Sequence, residues 1–370
     1  MRIGILTSTR ADYGIYHSLL KTLDMDEEVS FGLFVFGTHL SAEHGHTVDQ
    51  IERDGYPIYE RINTLPGHDD PAGISRAMGK TTTNFADVWE RWASQLDLVV
   101  ALGDRYEMFA AVAATVPFGL LVAHLHGGET SLGAIDDKFR HAITLMSGLH
   151  FTATPAYADR VAQLLGTNTG VYYVGAPSLD GLAELPLLAV AEMKDRFGMD
   201  FGQPTMLVTF HPETVASDNN EAYGEELCAA LDQLANHYQV VITMPNADTM
   251  GSVLRRQFLA LSEKNERVIT IENFGKIGYF SAMRHCALLL GNTSSGIIEA
   301  ASFQKYAINL GDRQKGRAHS ENLRSVPVAQ TDIIQAVAEL EQSGLTYHGE
   351  NVYVKTGSAA LEIVSVLKTK

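Results

Sequence analysis

Between His124 and His141 the chain reads His-Leu-His-Gly-Gly-Glu-Thr-Ser-Leu-Gly-Ala-Ile-Asp-Asp-Lys-Phe-Arg-His, with three histidines, a glutamate and two aspartates in eighteen residues. Imidazoles and carboxylates gathered this densely are what general acid–base chemistry uses. Asp104, His126, Glu129 and Asp136 are the candidates for moving protons. Asp136 and Arg140 lie four residues apart, as do Asp137 and His141, and so share a helix face. Gly127-Gly128 is expected to let backbone approach a ligand closely. Just upstream, Gly103-Asp104-Arg105 sets a carboxylate beside a guanidinium: arginine is suited to bidentate phosphate binding and aspartate to proton transfer.

The second half carries a different chemistry. Gly291-Asn-Thr-Ser-Ser-Gly296 offers backbone amides, hydroxyls and a helix N-terminus to phosphate oxygens. Thr293, Ser294, Ser295 and Gly296 are its candidate ligands, and Glu299, expected one turn into the following helix, can accept from ribose hydroxyls. A plain Ser/Thr helix cap is the alternative. His211-Pro-Glu213, Pro245-Asn246-Ala-Asp248 and Gly311-Asp-Arg313-Gln-Lys-Gly-Arg317 add polar groups consistent with a diphosphate site. Arg10, after the first strand, is a further candidate contact. Neither GxGxxG nor GKS/T occurs, so the two commonest nucleotide loops are absent. His39, His44 and His46 match no standard zinc spacing and read as a polar loop; no metal is expected.

Hydrophobic runs at residues 3–6, 31–36, 97–102, 119–123, 150–154 and 171–174 alternate with helical patterns. A second series runs through 206–210, 240–244, 287–290 and 306–310. The alternation predicts α/β architecture with parallel doubly wound sheets, whose strands deliver ligands from their carboxyl ends. Helices are expected at 73–96, with Trp89 and Trp92 in the core, at 107–115, and from Asp136, burying Phe139, Ala142, Ile143 and Met146. Asp12 can cap the first helix. The expected domains are 1–177 (acid–base residues) and 178–355 (nucleotide), with 356–370 a helix folding back on the first.

At 370 residues the chain is long enough for about two domains. Its 45% hydrophobic and 19% charged residues are ordinary for a globular protein. A net charge of −16 argues against a nucleic-acid partner. Cys228 and Cys286 have neither metal nor redox spacing and read as reduced core residues. There is no signal-peptide pattern, and the longest apolar stretch, 109–123, is broken by Pro117 and Gly119. A cytoplasmic protein without a membrane segment is expected.

Taken in order, Thr9-Arg-Ala-Asp-Tyr-Gly14, Gly103-Asp-Arg105, His124-Leu-His-Gly-Gly-Glu129, Ile135-Asp-Asp137, Arg140-His141, His211-Pro212, Pro245-Asn-Ala-Asp248, Gly291-Asn-Thr-Ser-Ser-Gly296 with Glu299, and Asn309-Leu-Gly-Asp-Arg313 resemble the hydrolysing UDP-N-acetylglucosamine 2-epimerases of bacterial sialic acid synthesis. The likeness runs nearly end to end. It implies two Rossmann-like domains of the glycosyltransferase-B type, with a UDP-sugar in the cleft between them, and a homodimer or higher homo-oligomer. It also implies release of N-acetylmannosamine and UDP without a cofactor, by anti elimination and then hydration. Asp104 and Asp136 would be the acid–base carboxylates. Arg10, Arg105, His211, Asn246, Asp248, Thr293, Ser294, Ser295, Gly296, Glu299 and Arg313 would hold nucleotide and sugar. Ile15 stands where several relatives have lysine. His126 stands where they have a catalytic glutamate, and histidine can shuttle protons but cannot reproduce a fixed negative charge. A related branch acts on UDP-2,4-diacetamido-2,4,6-trideoxyglucose, and a glycosyltransferase or a silent sugar-nucleotide sensor are the other readings.

Overall fold

The computed structural model describes residues 1–370 except Glu43, His44, Pro66, Asp69, Ala216, residues 246–250 and the side chain of Ser217. The chain divides into two units: Met1–Glu129, Asp136–Leu182 and Tyr353–Lys370 form the first, and Thr130–Ile135 and Ala183–Val352 the second. The dense stretch of the opening is thus split. His126–Glu129 and the helix from Asp136 belong to one unit, the six residues between them to the other.

In the first unit, β1 (Arg2–Thr7), β2 (Ser30–Phe36), β3 (Ile58–Ile62), β4 (Leu98–Leu102), β5 (Val122–Leu125), β6 (Leu149–Thr152) and β7 (Val171–Tyr173) form one sheet, ordered β3-β2-β1-β4-β5-β6-β7. Every pairing is parallel. In the second, β8 (Thr205–Thr209), β9 (Gln239–Thr243), β10 (Val268–Ile271), β11 (Leu288–Gly291), β12 (Ala307–Leu310) and β13 (Leu323–Val326) pair in parallel as β10-β9-β8-β11-β12-β13. Central strands are buried throughout, as expected when helices cover both sheet faces. Side chains alternate between those faces. Ile3, Ile5, Leu33, Val35, Val100 and Leu125 enter one core cluster, and Leu6, Phe34, Phe36, Val99, Ala101 and Val122 the other.

Strand order reverses between β1 and β4 in the first unit and between β8 and β11 in the second. Loops leaving the carboxyl ends at such a switch point diverge and open a place for ligand. Ser8–Arg10 and Gly103–Arg105 leave there in one unit, and Phe210–Glu213 and Asn292–Ser295 in the other.

Three strands, β3, β10 and β13, were missing from the sequence expectation, and all three are sheet edges. The long helix is α3 (Pro71–Trp92), followed by a 3-10 turn at Ala93–Gln95, rather than one helix over 73–96. Next come α4 (Tyr106–Ala113) and α5 (Asp136–Met146). α5 buries Arg140, Ile143 and Thr144, while Phe139, Ala142 and Met146 are only half-buried. A charged residue on the buried face rotates that face away from the purely apolar one expected. The last helix, α13 (Ala359–Leu367), packs on α1 (Arg10–Asp24) in the same core cluster. Its N-terminal amides are capped by Ser358 and by Asp180, which accepts from Ala359 and Ala360. Among the described residues no helix is long and apolar enough to cross a membrane.

Candidate active site

Leu102 and Leu125 are register partners on β4 and β5. The residues that follow them, Gly103-Asp104-Arg105 and His126, therefore emerge side by side. His124, one step back on β5, ties these ends together: its Nε2 donates to the Gly103 carbonyl at 2.8 Å. Burial pushes this imidazole down to about 3, so it stays neutral and acts as a brace. Asp104 is paired with Arg140 from α5, whose side chain is only 2% exposed. Arg140 also lies 3.7 Å from Asp137, and Asp137 lies 3.6 Å from His141. Asp136 is half-buried at the first residue of α5, where the helix end favours a carboxylate. Arg105 lies against Glu107, donating from Nη2 at 3.0 Å and Nε at 3.2 Å. Glu107 is almost wholly buried; sequence reading missed it, although a carboxylate two residues after an expected phosphate ligand was a usable signal.

His126 has φ +63°, a left-handed backbone that a non-glycine residue rarely adopts. Its Nδ1 is 2.6 Å from Oε1 of Glu129. Both side chains are buried, Glu129 completely. Glu129 was expected as a catalytic group in its own right; here it stands against the imidazole. The two glycines between them are closely packed. Gly128 has φ +79°, and a Cβ there would meet the Tyr157 carbonyl at 2.4 Å. A Cβ on Gly127 would press on His124 and Thr144.

After β1, Asp12 accepts from the amides of Ser8 and Thr9 and the hydroxyls of Thr7 and Ser8. With Thr9 it forms a capping box that fixes Arg10 at the head of α1. Burial alone would raise the Asp12 carboxyl, but His39, the Ser8 amide and the Thr7 hydroxyl together hold it below the usual carboxylate range. His39 is no polar-loop residue: it is fully buried, bonded through Nε2 to Thr7 and through Nδ1 to Thr47. His46 is exposed on Asp49, and His44 lies outside the described residues. No cluster fit for a metal ion occurs among the described residues.

In the second unit Asn292 is the organising residue. Its Oδ1 accepts from the His211 amide at 2.7 Å and its Nδ2 donates to the His211 carbonyl at 2.8 Å. Its own carbonyl accepts from Arg313 Nη1 and Gln314 Nε2. One residue, through its side-chain amide and its backbone carbonyl, thus ties together the loops after β8, β11 and β12. Glu213 fixes the last of these, accepting from the amides of Asp312 at 2.6 Å and Arg313 at 3.2 Å. Gly291 (φ +135°) must be glycine, since a Cβ would meet the Thr209 carbonyl at 1.9 Å. The helix expected to carry Glu299 is a single α turn, α11 (Ser295–Ile298), passing into a 3-10 turn at Ala300–Phe303. Glu299 lies between the two, buried. So short a helix has little dipole; the amides and hydroxyls of Thr293, Ser294, Ser295 and Gly296 are what this loop offers. Tyr279 bonds to Thr209 and Ser295, and burial pushes its hydroxyl up to about 12. Asn246 and Asp248 lie outside the described residues.

A family model described as UDP-N-acetylglucosamine 2-epimerase matches residues 21–368. The chain is 32% identical over 338 residues to a UDP-N,N'-diacetylbacillosamine 2-epimerase (hydrolyzing) of Legionella pneumophila, covering 91% of this chain and 88% of that one. It is also 32% identical over 341 residues to a GDP/UDP-N,N'-diacetylbacillosamine 2-epimerase (hydrolyzing) of Campylobacter jejuni, covering 92% and 87%. Its fold matches the crystal structure of UDP-GlcNAc 2-epimerase from Neisseria meningitidis bound to UDP-GlcNAc with a TM-score of 0.83, at 17% identity and across 100% of both chains.

Proposed function

The chain belongs to the UDP-N-acetylglucosamine 2-epimerase family, and from that premise we propose that it is a hydrolysing 2-epimerase acting on UDP-2,4-diacetamido-2,4,6-trideoxyglucose, the diacetylbacillosamine nucleotide. The reaction releases UDP and the free manno-configured sugar. Two relatives at 32% identity that bear this substrate in their names support the choice of sugar. UDP-N-acetylglucosamine, giving N-acetylmannosamine, is the second reading, favoured by the family model's own description and by the ordered motifs.

The observation that carries the chemistry is Asp104 held by buried Arg140 at the end of β4, beside His126 at the end of β5. The Asp104 carboxylate takes the C2 proton while the C1–oxygen bond to UDP breaks, leaving a C1–C2 double bond. Water then adds its oxygen to C1, and C2 receives a proton on the opposite face. Asp136 at the α5 N-terminus orders the sugar and takes the proton lost by water. In the second unit, Thr293, Ser294, Ser295, Gly296 and Arg313 donate to the diphosphate; His211 and Glu299 contact the nucleotide, and Arg10 and Arg105 are anion ligands of the first unit. Asn246 and Asp248 complete the assignment from sequence alone.

Proton NMR in D2O with each UDP-sugar in turn tests this reading. The expected outcome is UDP plus a free manno sugar deuterated at C2, with faster turnover of the diacetamido substrate. Recovery of a UDP-linked manno sugar would replace hydrolysis by simple epimerisation. Transfer to an acceptor with C2 hydrogen retained would make the protein a glycosyltransferase instead.

A further inference from the structure

The His126–Glu129 pair has a geometry that a packing role does not require. The imidazole sits on a left-handed backbone, buried, with Nδ1 2.6 Å from a fully buried carboxylate oxygen. Its other nitrogen, Nε2, is buried and has no hydrogen-bond partner among the described residues. Buried polar atoms are nearly always satisfied, and strained backbone persists where the surroundings impose it. An orphaned nitrogen on a strained, carboxylate-braced ring is the arrangement of a group kept ready for a reacting atom.

An ionised carboxylate only accepts hydrogen bonds, so Nδ1 carries the hydrogen and Nε2 is the nitrogen whose protonation changes. The Gly128 carbonyl, two residues on, is held by Arg160 from α6 (Pro155–Leu165), and the His126 amide donates to the Phe151 carbonyl on β6. The backbone that carries the ring is therefore held on both sides of it. With neutral imidazole the pair carries one negative charge, and with imidazolium none. A lone carboxylate changes charge in the same way on protonation, so Glu129 provides the fixed charge that a histidine alone lacks.

We propose, resting on the 2-epimerase reading above, that His126 and Glu129 work as a histidine–carboxylate dyad that delivers the C2 proton in the hydration half of the reaction. His126 is the catalytic residue: Nε2–H gives its proton to C2 of the unsaturated intermediate as the water oxygen bonds to C1. Glu129 is a positioning residue that never meets the sugar; it fixes the tautomer and balances the imidazolium. The proton lost from water goes to a site carboxylate, and solvent reprotonates Nε2 before the next turnover.

The test separates the two halves of the reaction. In a single turnover with the UDP-sugar that the wild type hydrolyses, His126→Ala is expected to release about one UDP per site while the unsaturated sugar accumulates. Formation of the free manno sugar should fall by about 100-fold or more, the scale of a general acid. Glu129→Gln, which preserves shape, is expected to show the same partition with a smaller loss, mostly in kcat rather than KM. Wild type should show a strongly downfield Nδ1 proton that both variants lack, and UDP affinity should be unchanged in both as a check on folding. Equal loss of UDP release and sugar formation, or no loss of either, would overturn the dyad while leaving the 2-epimerase reading in place. A wild type that hydrolyses neither UDP-sugar overturns both.

Discussion

The two units open their sheets at the same topological point and furnish it in opposite ways. In the first, ionisable groups meet in pairs around the strand ends: Asp104 with Arg140, Arg105 with Glu107, His126 with Glu129, Asp12 with His39. In the second, a neutral amide, Asn292, and one carboxylate, Glu213, bond mainly to backbone and so hold the loops after β8, β11 and β12. Burying ion pairs is costly, and a fold retains them where charge has a task. Backbone donors cost little to keep and suit an anion that stays an anion throughout. On the 2-epimerase reading proposed above, that contrast fits proton transfer in one unit and the grip on diphosphate in the other.

The largest effect expected from that division is on Asp104. Asp104→Asn removes a proton acceptor and should lower kcat by about 10²- to 10⁴-fold, with UDP affinity by calorimetry staying within about threefold. Thermal melting must accompany the measurement, since Arg140 loses its carboxylate partner and breaking a buried pair costs about 3–5 kcal/mol. An affinity loss as large as the kcat loss would erase the contrast.

Arg313→Ala should do the reverse. A charge-assisted hydrogen bond is worth about 1.5–3 kcal/mol, so UDP affinity should weaken by about 10- to 150-fold while kcat at saturating substrate stays within a few-fold. A variant that binds UDP normally but turns over slowly would move Arg313 to the chemical step.

Much of this division was legible in the chain. The buried strands announced themselves as apolar runs, and the polar residues after them were recognisable because parallel strands deliver ligands from one end. Two of the edge strands were not legible because Ile58-Tyr-Glu-Arg-Ile62 and Leu323-Arg-Ser-Val326 are partly solvated and carry charges, which breaks the apolar signal. Pairing was hidden for another reason. Arg140 meets Asp104 thirty-six residues away, and only the β4–β5 register brings them together. His39 looked like a loop histidine because nothing local shows that Thr7 and Thr47 satisfy both its nitrogens. The partnership of Glu129 with His126 was hidden because sequence shows residue types but not which side chains meet.

Acid should separate the units next. Burial lowers His124 to about 3 and His150 to about 4. The unfolded chain, titrating near 6.5, binds more protons than the fold below that pH, so stability is full above it and falls with pH toward the folded values. By about pH 5 each histidine costs about 2 kcal/mol, at about 1.4 kcal/mol per pH unit. Both lie in the first unit. Hydrogen exchange at about pH 5, corrected for intrinsic rates and compared with pH 7, should show protection lost around β5 and β6 before β8 and β11. Equal loss in both units would mean that these imidazoles are not held neutral.

Glu213 responds to pH with the opposite sign, and its effect is the smallest. Burial raises its carboxyl above the usual range, more than the amides of Asp312 and Arg313 lower it. The fold therefore binds a proton there more readily than the unfolded chain does. Its contribution is fully present below about pH 4.5 and is lost as pH rises through the raised folded value. Gln accepts the same two amide bonds without a charge, and Gly311, where a Cβ would meet Oε1 at 2.4 Å, leaves room for the isostere. Glu213→Gln should thus melt at or slightly above the wild type at about pH 7, by up to about 1 kcal/mol, with the gain gone below about pH 4.5. Glu213→Ala, which leaves both amides without their acceptor, should lose stability at either pH. If Glu213→Gln were the destabilised variant at neutral pH, the second unit would also depend on a buried charge, and the contrast would rest on the acid–base groups alone.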